Sequence, residues 1–251
     1  MIERNYDKIN LKIYDTRAEM GADGAREAAE CIRMLLEKNE EINCIFAAAP
    51  SQNEFLASLL EQDIEWNRIN AYHMDEYVGF QVGHPNSFNH FLCNAIFDKV
   101  PFKSVNLING ANDADEEVKR YGALLDAAPT HITFMGIGEN GHIAFNDPPV
   151  ADFNDKLPIK KVKLDDICRN QQVHDGCFPT LADVPEYALT VTVPRLASSE
   201  YIFCIVPAAT KHNATKATLT GPISEACPAS ILRRTDNVRM YIDMACAGDL
   251  V

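Results

Sequence analysis

The stretch FMGIGENGHIAFND, residues 134–147, indicates both how the chain folds and where its site lies. It overlaps the end of an apolar run, residues 131–137, which predicts a buried strand. The run breaks at Gly136, Gly138 and Gly141, which permit backbone conformations that side chains forbid and let a ligand approach the main chain. Open α/β sheets bind their ligands where a buried strand ends in such a polar loop.

Outward from this stretch, apolar strands alternate with amphipathic segments. Strands are predicted at residues 11–14, 42–49, 69–74, 105–108, 189–193, 201–206 and 238–242. Helices are predicted at residues 16–36, 51–60, 87–97, 113–127 and 209–219, the first two opening on capping boxes, Thr16 with Glu19 and Ser51 with Glu54. Residues 75–79 are expected to form a loop, and residues 148–187 a cover over the site. The alternation predicts an α/β domain, residues 1–251, with a mostly parallel central sheet covered by helices.

Composition narrows the class of protein. The chain has 251 residues, 47% of them hydrophobic, and no apolar run long enough to span a bilayer. The first six residues lack the apolar core of a signal peptide, so a cytoplasmic location is expected. Its eight cysteines form no Cys-x-x-Cys pair and are expected to be reduced. The net charge of −13 argues against nucleic-acid and membrane partners but permits an anionic small molecule.

The ends of two early strands carry candidate site residues. Ser51 follows a buried strand at the start of a predicted helix, where free N–H groups favour an anion such as phosphate; the alternative is that it only caps the helix. Asp75 and Glu76 follow the next strand, and adjacent side chains there point in different directions. If Asp75 is shielded from water, it can act as a general base. The alternative is that both acids are solvated and have no such role.

Two later strand ends add the remaining polar groups. His142 can exchange a proton near neutral pH, and Asp147 can orient it. Asn140 can either fix one ring tautomer or bind a substrate hydroxyl. Lys211 stands at a strand-to-helix junction suited to a phosphate contact, although most lysines are surface residues. The glycine spacing also matches a dinucleotide fingerprint, but no helix with an acidic ribose ligand clearly follows. The seven histidines form no metal-ligand motif, so no metal site is expected.

Several segments resemble those of glucosamine-6-phosphate deaminases. They are NAYHMDEYVG at 70–79, HPNS at 84–87, GIGENGHIAFNDP at 136–148, VPEYALTV at 184–191 and PASIL at 228–232. The likeness covers nearly the whole chain in order. It identifies the chain as a member of the superfamily of glucosamine and galactosamine-6-phosphate isomerases.

The resemblance implies a three-layer Rossmann-like fold and conversion of glucosamine 6-phosphate to fructose 6-phosphate and ammonia. It implies that Asp75 removes the C2 proton and that His142 assists ring opening, with Asn140 and Asp147 as its partners. It implies no metal or organic cofactor. The substrate-binding residues carried over are Ala49, Ser51, Gln52, Glu76, Gly138, Arg169, Gln172 and Lys211.

The chain departs from the family pattern at four places. One is Asn140, which stands where many members carry an aspartate and cannot ionise. Ala48 and Ala49 stand where members often carry a Thr-Gly-Gly phosphate loop. Asp147 replaces a glutamate, so its carboxylate is expected to sit about 1.5 Å further back. The arginine expected to bind phosphate near residues 169–172 is either Arg169 or replaced by Gln172.

Three rival functions are compatible with the sequence. A galactosamine-6-phosphate isomerase/deaminase would use the same chemistry on the C4 epimer. A sugar-phosphate lactonase would not need Asp75 as a carbon base. A sugar-phosphate sensor would keep the pocket without chemistry, yet the ten residues before Leu11 are too few for a helix-turn-helix. Members often assemble, so a homo-oligomer is possible, although the sequence fixes no symmetry.

Overall fold

Strands and helices alternate along most of the chain in a computed structural model that describes residues 1–174 and 176–251. The strands are Ile2–Tyr6 (β1), Ile9–Tyr14 (β2), Ile42–Phe46 (β3), Ile69–His73 (β4), Asp75–Tyr77 (β5), Ser104–Asn106 (β6), Ile132–Met135 (β7), Ile159–Lys163 (β8), Tyr187–Val191 (β9), Tyr201–Val206 (β10) and Val238–Asp243 (β11). The helices are Arg17–Leu36 (α1), Asn53–Leu60 (α2), Phe88–Leu92 (α3), Ala114–Asp126 (α4), Asp166–His174 (α5), Val193–Ala197 (α6), His212–Thr220 (α7) and Met244–Ala247 (α8).

Eight of these strands form the central sheet, in the order β1-β2-β11-β10-β7-β3-β4-β6. β1 pairs antiparallel with β2, and every other pair in this sheet is parallel. The predicted α/β class with a mostly parallel sheet covered by helices is confirmed. A second, three-stranded antiparallel sheet, β5-β9-β8, was not predicted, and it takes the strand expected at 189–193.

Strand β3 shows why helices cover both faces of the sheet. Cys44 and Phe46 pack into a core that includes residues of α1 and α2. Ile45, pointing the opposite way, packs into a second core that includes residues of α4 and α7. Because successive side chains alternate between faces, an unbroken apolar run suits a strand buried on both sides.

The connections of β3 and β7 create a crevice at the carboxyl ends of the strands. The two strands are neighbours, with Cys44 paired to Ile132. The chain leaves β3 through α2 toward β4 on one side, and leaves β7 toward β10 on the other. Such a reversal of direction is the topological switch point at which open α/β sheets bind ligands.

Two local predictions are wrong. Ser51 does not cap a helix, because it lies inside a 3₁₀ turn, Pro50–Gln52, and α2 begins only at Asn53. The expected loop at residues 75–79 instead begins with β5, in which Asp75 pairs with Thr190.

The predicted helix at 87–97 starts correctly, with Ser87 as its N-cap. However, it passes into a π-helical turn, Cys93–Phe97. Residues 148–187, where the sequence signal is weak, contain β8 and α5. Within the described ranges, no helix combines the length and apolar character needed to cross a bilayer.

Thr16→Ala is expected to lower the free energy of unfolding by about 1 kcal/mol. The predicted capping box is present: Thr16 Oγ1 accepts a bond from Glu19 N at 3.2 Å, and Glu19 Oε2 accepts one from Thr16 N at 3.1 Å. Urea unfolding measures the change. Thr16→Ser, which keeps the hydroxyl, should resemble the parent protein, and equal losses in both variants would contradict the cap.

Candidate active site

Four adjacent strands, β10, β7, β3 and β4, end at one cavity. Because they are parallel, the loops that follow them meet at the same edge of the sheet. The lining from these loops consists of residues 47–51 after β3, residues 74–75 after β4, residues 136–138 after β7, and Pro207, Ala208, Thr210 and Lys211 after β10.

The cavity brings together many of the predicted site residues. Those that line it are Ala49, Ser51, Asp75, Gly138, His142, Gln172 and Lys211. Asn140 and Asp147 stand behind the histidine and contact it rather than the cavity. Gln52, Glu76 and Arg169 are outside the lining and are described below.

His142 is held by a short polar network. Its Nδ1 lies 2.9 Å from Oδ1 of Asp147, and Asn140 donates to the same oxygen at 3.0 Å. The Asn140 side-chain oxygen accepts a bond from the backbone N–H of His142 at 3.0 Å. A carboxylate at Nδ1 favours the tautomer with its proton there, which leaves Nε2 as the other exchangeable position.

Asp147 remains a carboxylate despite its burial. Burial alone raises its pKa, but the contacts from His142 and Asn140 outweigh that effect and hold the pKa below the usual value. The shorter side chain therefore still reaches the imidazole, and the expected retreat of about 1.5 Å does not open a gap.

Gly138 makes room for the imidazole. A Cβ at this position would lie 2.1 Å from Cε1 of His142. The backbone N–H of Gly138 also donates to the carbonyl oxygen of His142 at 3.0 Å. The glycine spacing noted in the sequence thus serves the histidine directly, since only a residue without a side chain fits against the ring.

Asp75 lines the cavity, and the residue is 7% exposed. Burial raises its pKa well above the usual value, and the neighbouring carboxyl of Glu76 raises it further. A carboxyl with a raised pKa is a stronger base once ionised, which suits removal of a carbon-bound proton.

Glu76 was predicted to bind substrate, but its side chain does not line the cavity. Its oxygens accept bonds from the backbone N–H groups of Tyr77, Phe88 and Asn89, and from the Asn89 side chain. Burial raises its pKa to about 7 although those bonds oppose the rise. Glu76 therefore joins β5 to the start of α3.

Arg169 is also placed away from the cavity. Its Nη2 donates to the carbonyl oxygens of Leu181 and Val184, each at 2.9 Å, so the guanidinium holds a turn of the chain. Gln172, three residues later on the same helix, lines the cavity instead. Of the two alternatives drawn from the sequence, the neutral amide is the one that faces the site.

Gln52 supports the loop that follows β3. Its side chain is 1% exposed and donates to Ser51 Oγ at 3.0 Å and to the carbonyl oxygen of Ile205 at 3.2 Å. These bonds tie the loop to β10. Gln52 therefore positions Ser51 rather than lining the cavity itself.

Two strained alanines, Ala144 and Ala208, mark the site and were not foreseen. Their φ angles are +52° and +84°, and both residues line the cavity. Such conformations cost about 1–3 kcal/mol each and concentrate at functional sites. Their backbone angles leave no recognisable signal in the sequence.

Arg17, at the first position of α1, lines the cavity and was also not foreseen. A cation there faces the positive end of the helix dipole, which is unfavourable unless other groups compensate. That placement is the one sequence signal that could have drawn attention to it.

One buried group, His142, Asp147 and Cys168, has ligand atoms within 4.8 Å of one another. Imidazole, carboxylate and thiolate are ligands that Zn²⁺ accepts. However, burial raises the pKa of Cys168 well above its usual value, and Asp147 raises it further, so the thiolate form is disfavoured. The three side chains form a buried polar group behind the cavity, in which Asp147 contacts His142.

Comparison with known proteins gives consistent matches. Residues 15–158 match the family described as glucosamine-6-phosphate isomerases/6-phosphogluconolactonase. A glucosamine-6-phosphate deaminase of Streptococcus equi subsp. zooepidemicus is 34% identical over 197 residues, 78% of this chain and 82% of its own. One of Bacillus thuringiensis is 31% identical over 236 residues, 94% and 87% of the two chains.

Solved structures add to this picture. A monomeric glucosamine-6-phosphate deaminase superposes with a TM-score of 0.86 at 27% identity, covering 94% of this chain and 98% of the other. A 6-phosphogluconolactonase of Thermotoga maritima gives a TM-score of 0.76 at 16% identity, covering 94% and 100% of the two chains. At that identity the second likeness shows the shared fold alone.

Gly138→Ala is expected to push the His142 ring away from Asp147, because the added methyl group and the ring would occupy the same space. Nitrogen NMR of the histidine ring should show loss of the fixed Nδ1–H tautomer. The free energy of unfolding should fall by about 1–3 kcal/mol, the usual range for an overpacked core. Gly122→Ala, in α4, is the control, and an unchanged His142 spectrum in Gly138→Ala would contradict the packing argument.

Proposed function

The chain belongs to the glucosamine-6-phosphate isomerase/6-phosphogluconolactonase family, and we propose that it converts glucosamine 6-phosphate and water to fructose 6-phosphate and ammonia. One observation carries the proposal: the carboxyl group of Asp75, the imidazole of His142 and the ammonium group of Lys211 line the same cavity. The deaminase names of the relatives at 31–34% identity support the same reaction.

In the first step the sugar ring opens. Opening requires proton transfer between the anomeric hydroxyl and the ring oxygen, and a neutral imidazole can both donate and accept a proton. Asp147 and Asn140 fix the ring orientation of His142. The 2.9 Å contact between His142 and Asp147 favours a catalytic site over a sensor, because binding alone does not need an oriented imidazole.

In the second step Asp75 acts on the open-chain aldehyde. It removes the C2 proton to leave an enolamine, and return of a proton to C1 gives an iminium at C2. Water then adds to C2 and ammonia leaves. C1 is reduced as C2 is oxidised, so the reaction balances within the substrate.

The phosphate is assigned to the loops after β3 and β10. Lys211 lines the cavity and is 7% exposed, and Ser51, in the turn at Pro50–Gln52, lines the same cavity. A phosphate monoester carries about −1.5 to −2 charges at neutral pH. A buried lysine with nearby hydroxyl and N–H donors is suited to such an anion.

Galactosamine 6-phosphate is the second candidate substrate, because Ala48 and Ala49 alter the loop beside the cavity. The deciding experiment supplies glucosamine 6-phosphate, galactosamine 6-phosphate and 6-phosphogluconolactone separately. Ammonia release from the first supports the proposal, and preferential release from the second changes the substrate. Hydrolysis of the lactone alone would overturn the deaminase assignment.

Asp75→Asn is expected to lower kcat by about 10²–10⁴-fold, the usual contribution of a general base. Asparagine keeps the size of the side chain but cannot accept the C2 proton, so the Kd for fructose 6-phosphate should change only a few-fold. Ammonia release and calorimetry measure the two effects. Asp63→Asn, at an exposed acid, is the control; retention of most of the rate in Asp75→Asn would assign the carbon base to another residue.

A further inference from the structure

The cavity carries few charges with which to hold a phosphate group. Among the lining residues that the structure describes, Lys211 and Arg17 are the side chains with a permanent positive charge. A phosphate monoester has up to about two negative charges. Lys211 balances at most one of them.

The helix that follows β8 does not supply the second charge. Gln172, which lines the cavity from this helix, is an uncharged amide. Arg169, on the same helix, donates to the carbonyl oxygens of Leu181 and Val184. A second cation for an anion must therefore come from another element of the cavity wall.

Arg17 is held beside the loop to which the phosphate is assigned. Its Nε and Nη2 donate to the two carboxylate oxygens of Glu54, at 2.9 and 2.8 Å, and Nη2 also donates to the carbonyl oxygen of Pro50 at 3.0 Å. Pro50 directly precedes Ser51 in the turn. The fork of bonds fixes the plane of the guanidinium.

The remaining amino group of Arg17, Nη1, makes no hydrogen bond to any residue in the ranges 1–174 and 176–251. Both side chains of the pair are about one-third exposed, at 36% for Arg17 and 34% for Glu54. Ion pairs this exposed add little to stability. The ion pair with Glu54 is therefore a weak reason for placing Arg17 at the positive end of the α1 dipole. Binding of an anion in the cavity is a stronger reason.

We propose that Arg17 is a phosphate-binding residue, contacting the substrate phosphate from α1 together with Lys211, with Glu54 fixing the orientation of the guanidinium. This inference rests on the proposed function for the nature of the ligand. It assigns the second positive charge of the phosphate site to a helix that contributes no other predicted site residue.

The test measures KM for glucosamine 6-phosphate and the Kd of fructose 6-phosphate, of fructose and of inorganic phosphate. Arg17→Ala should raise the KM and the Kd of both phosphate ligands by about 10–100-fold, as expected for a bond to a charged group. It should leave kcat within a few-fold and fructose binding unchanged. Lys211→Ala is the positive control for loss of a phosphate contact.

Two further variants separate ligand binding from a structural role. Arg26→Ala removes a charge that is paired with acids on the same helix but lies away from the cavity, and it should leave phosphate binding unchanged. Glu54→Ala breaks the same ion pair but keeps the cation, so its effect on phosphate affinity should be smaller than that of Arg17→Ala. Equal effects of Arg17→Ala and Glu54→Ala would show a purely structural pair and overturn the inference.

The outcomes also separate this inference from the proposed function. If the parent protein releases ammonia and Arg17→Ala behaves like Arg26→Ala, only the role of Arg17 is overturned. If no hexosamine phosphate is deaminated but Arg17→Ala still loses affinity for fructose 6-phosphate, the phosphate-binding role of Arg17 is supported and the proposed deamination is overturned. Failure of the parent protein to bind any sugar phosphate overturns both.

Discussion

The parallel pairing of β10, β7, β3 and β4 is the constraint on which the site depends. Parallel strands end at the same edge of a sheet, so residues that are far apart in the sequence meet there. Asp75 follows β4, His142 lies in the loop after β7, and Lys211 follows β10. The reversal of chain direction between β3 and β7 opens the crevice that these side chains share.

Within that crevice, two carboxyl groups are shifted in opposite directions by their surroundings. Asp75 is buried beside Glu76, and its pKa is raised; Asp147 is also buried, but contacts from His142 and Asn140 hold its pKa down. Opposed shifts of this kind divide the roles of base and of charged partner between two chemically similar groups. They explain why the proposed mechanism gives carbon chemistry to Asp75 and leaves Asp147 to orient the imidazole.

The extent to which sequence predicted the structure varies with the range of the interactions. The apolar strand and glycine loop at 131–147 and the Thr16 cap depend on neighbours in the chain, and they were predictable. Ser51 has the spacing of a cap but lies in a 3₁₀ turn, where Gln52 donates to its hydroxyl and to the carbonyl oxygen of Ile205 in β10. Arg17 reaches the cavity only because α1 packs beside α2 through Glu54, a contact 37 residues away in sequence that no local pattern encodes.

The pH dependence of kcat/KM for ammonia release tests the central claim most directly, because it reports ionisations of the free enzyme. The base must be ionised, so activity falls as the pH drops through its pKa, and burial moves the pKa of Asp75 upward. The account predicts an acidic limb well above the usual range of an aspartate, about 3.5 ± 1.2, and a shift of that limb in Asp75→Glu. A limb in the ordinary range, unchanged in Asp75→Glu, would contradict a buried Asp75 as the carbon base.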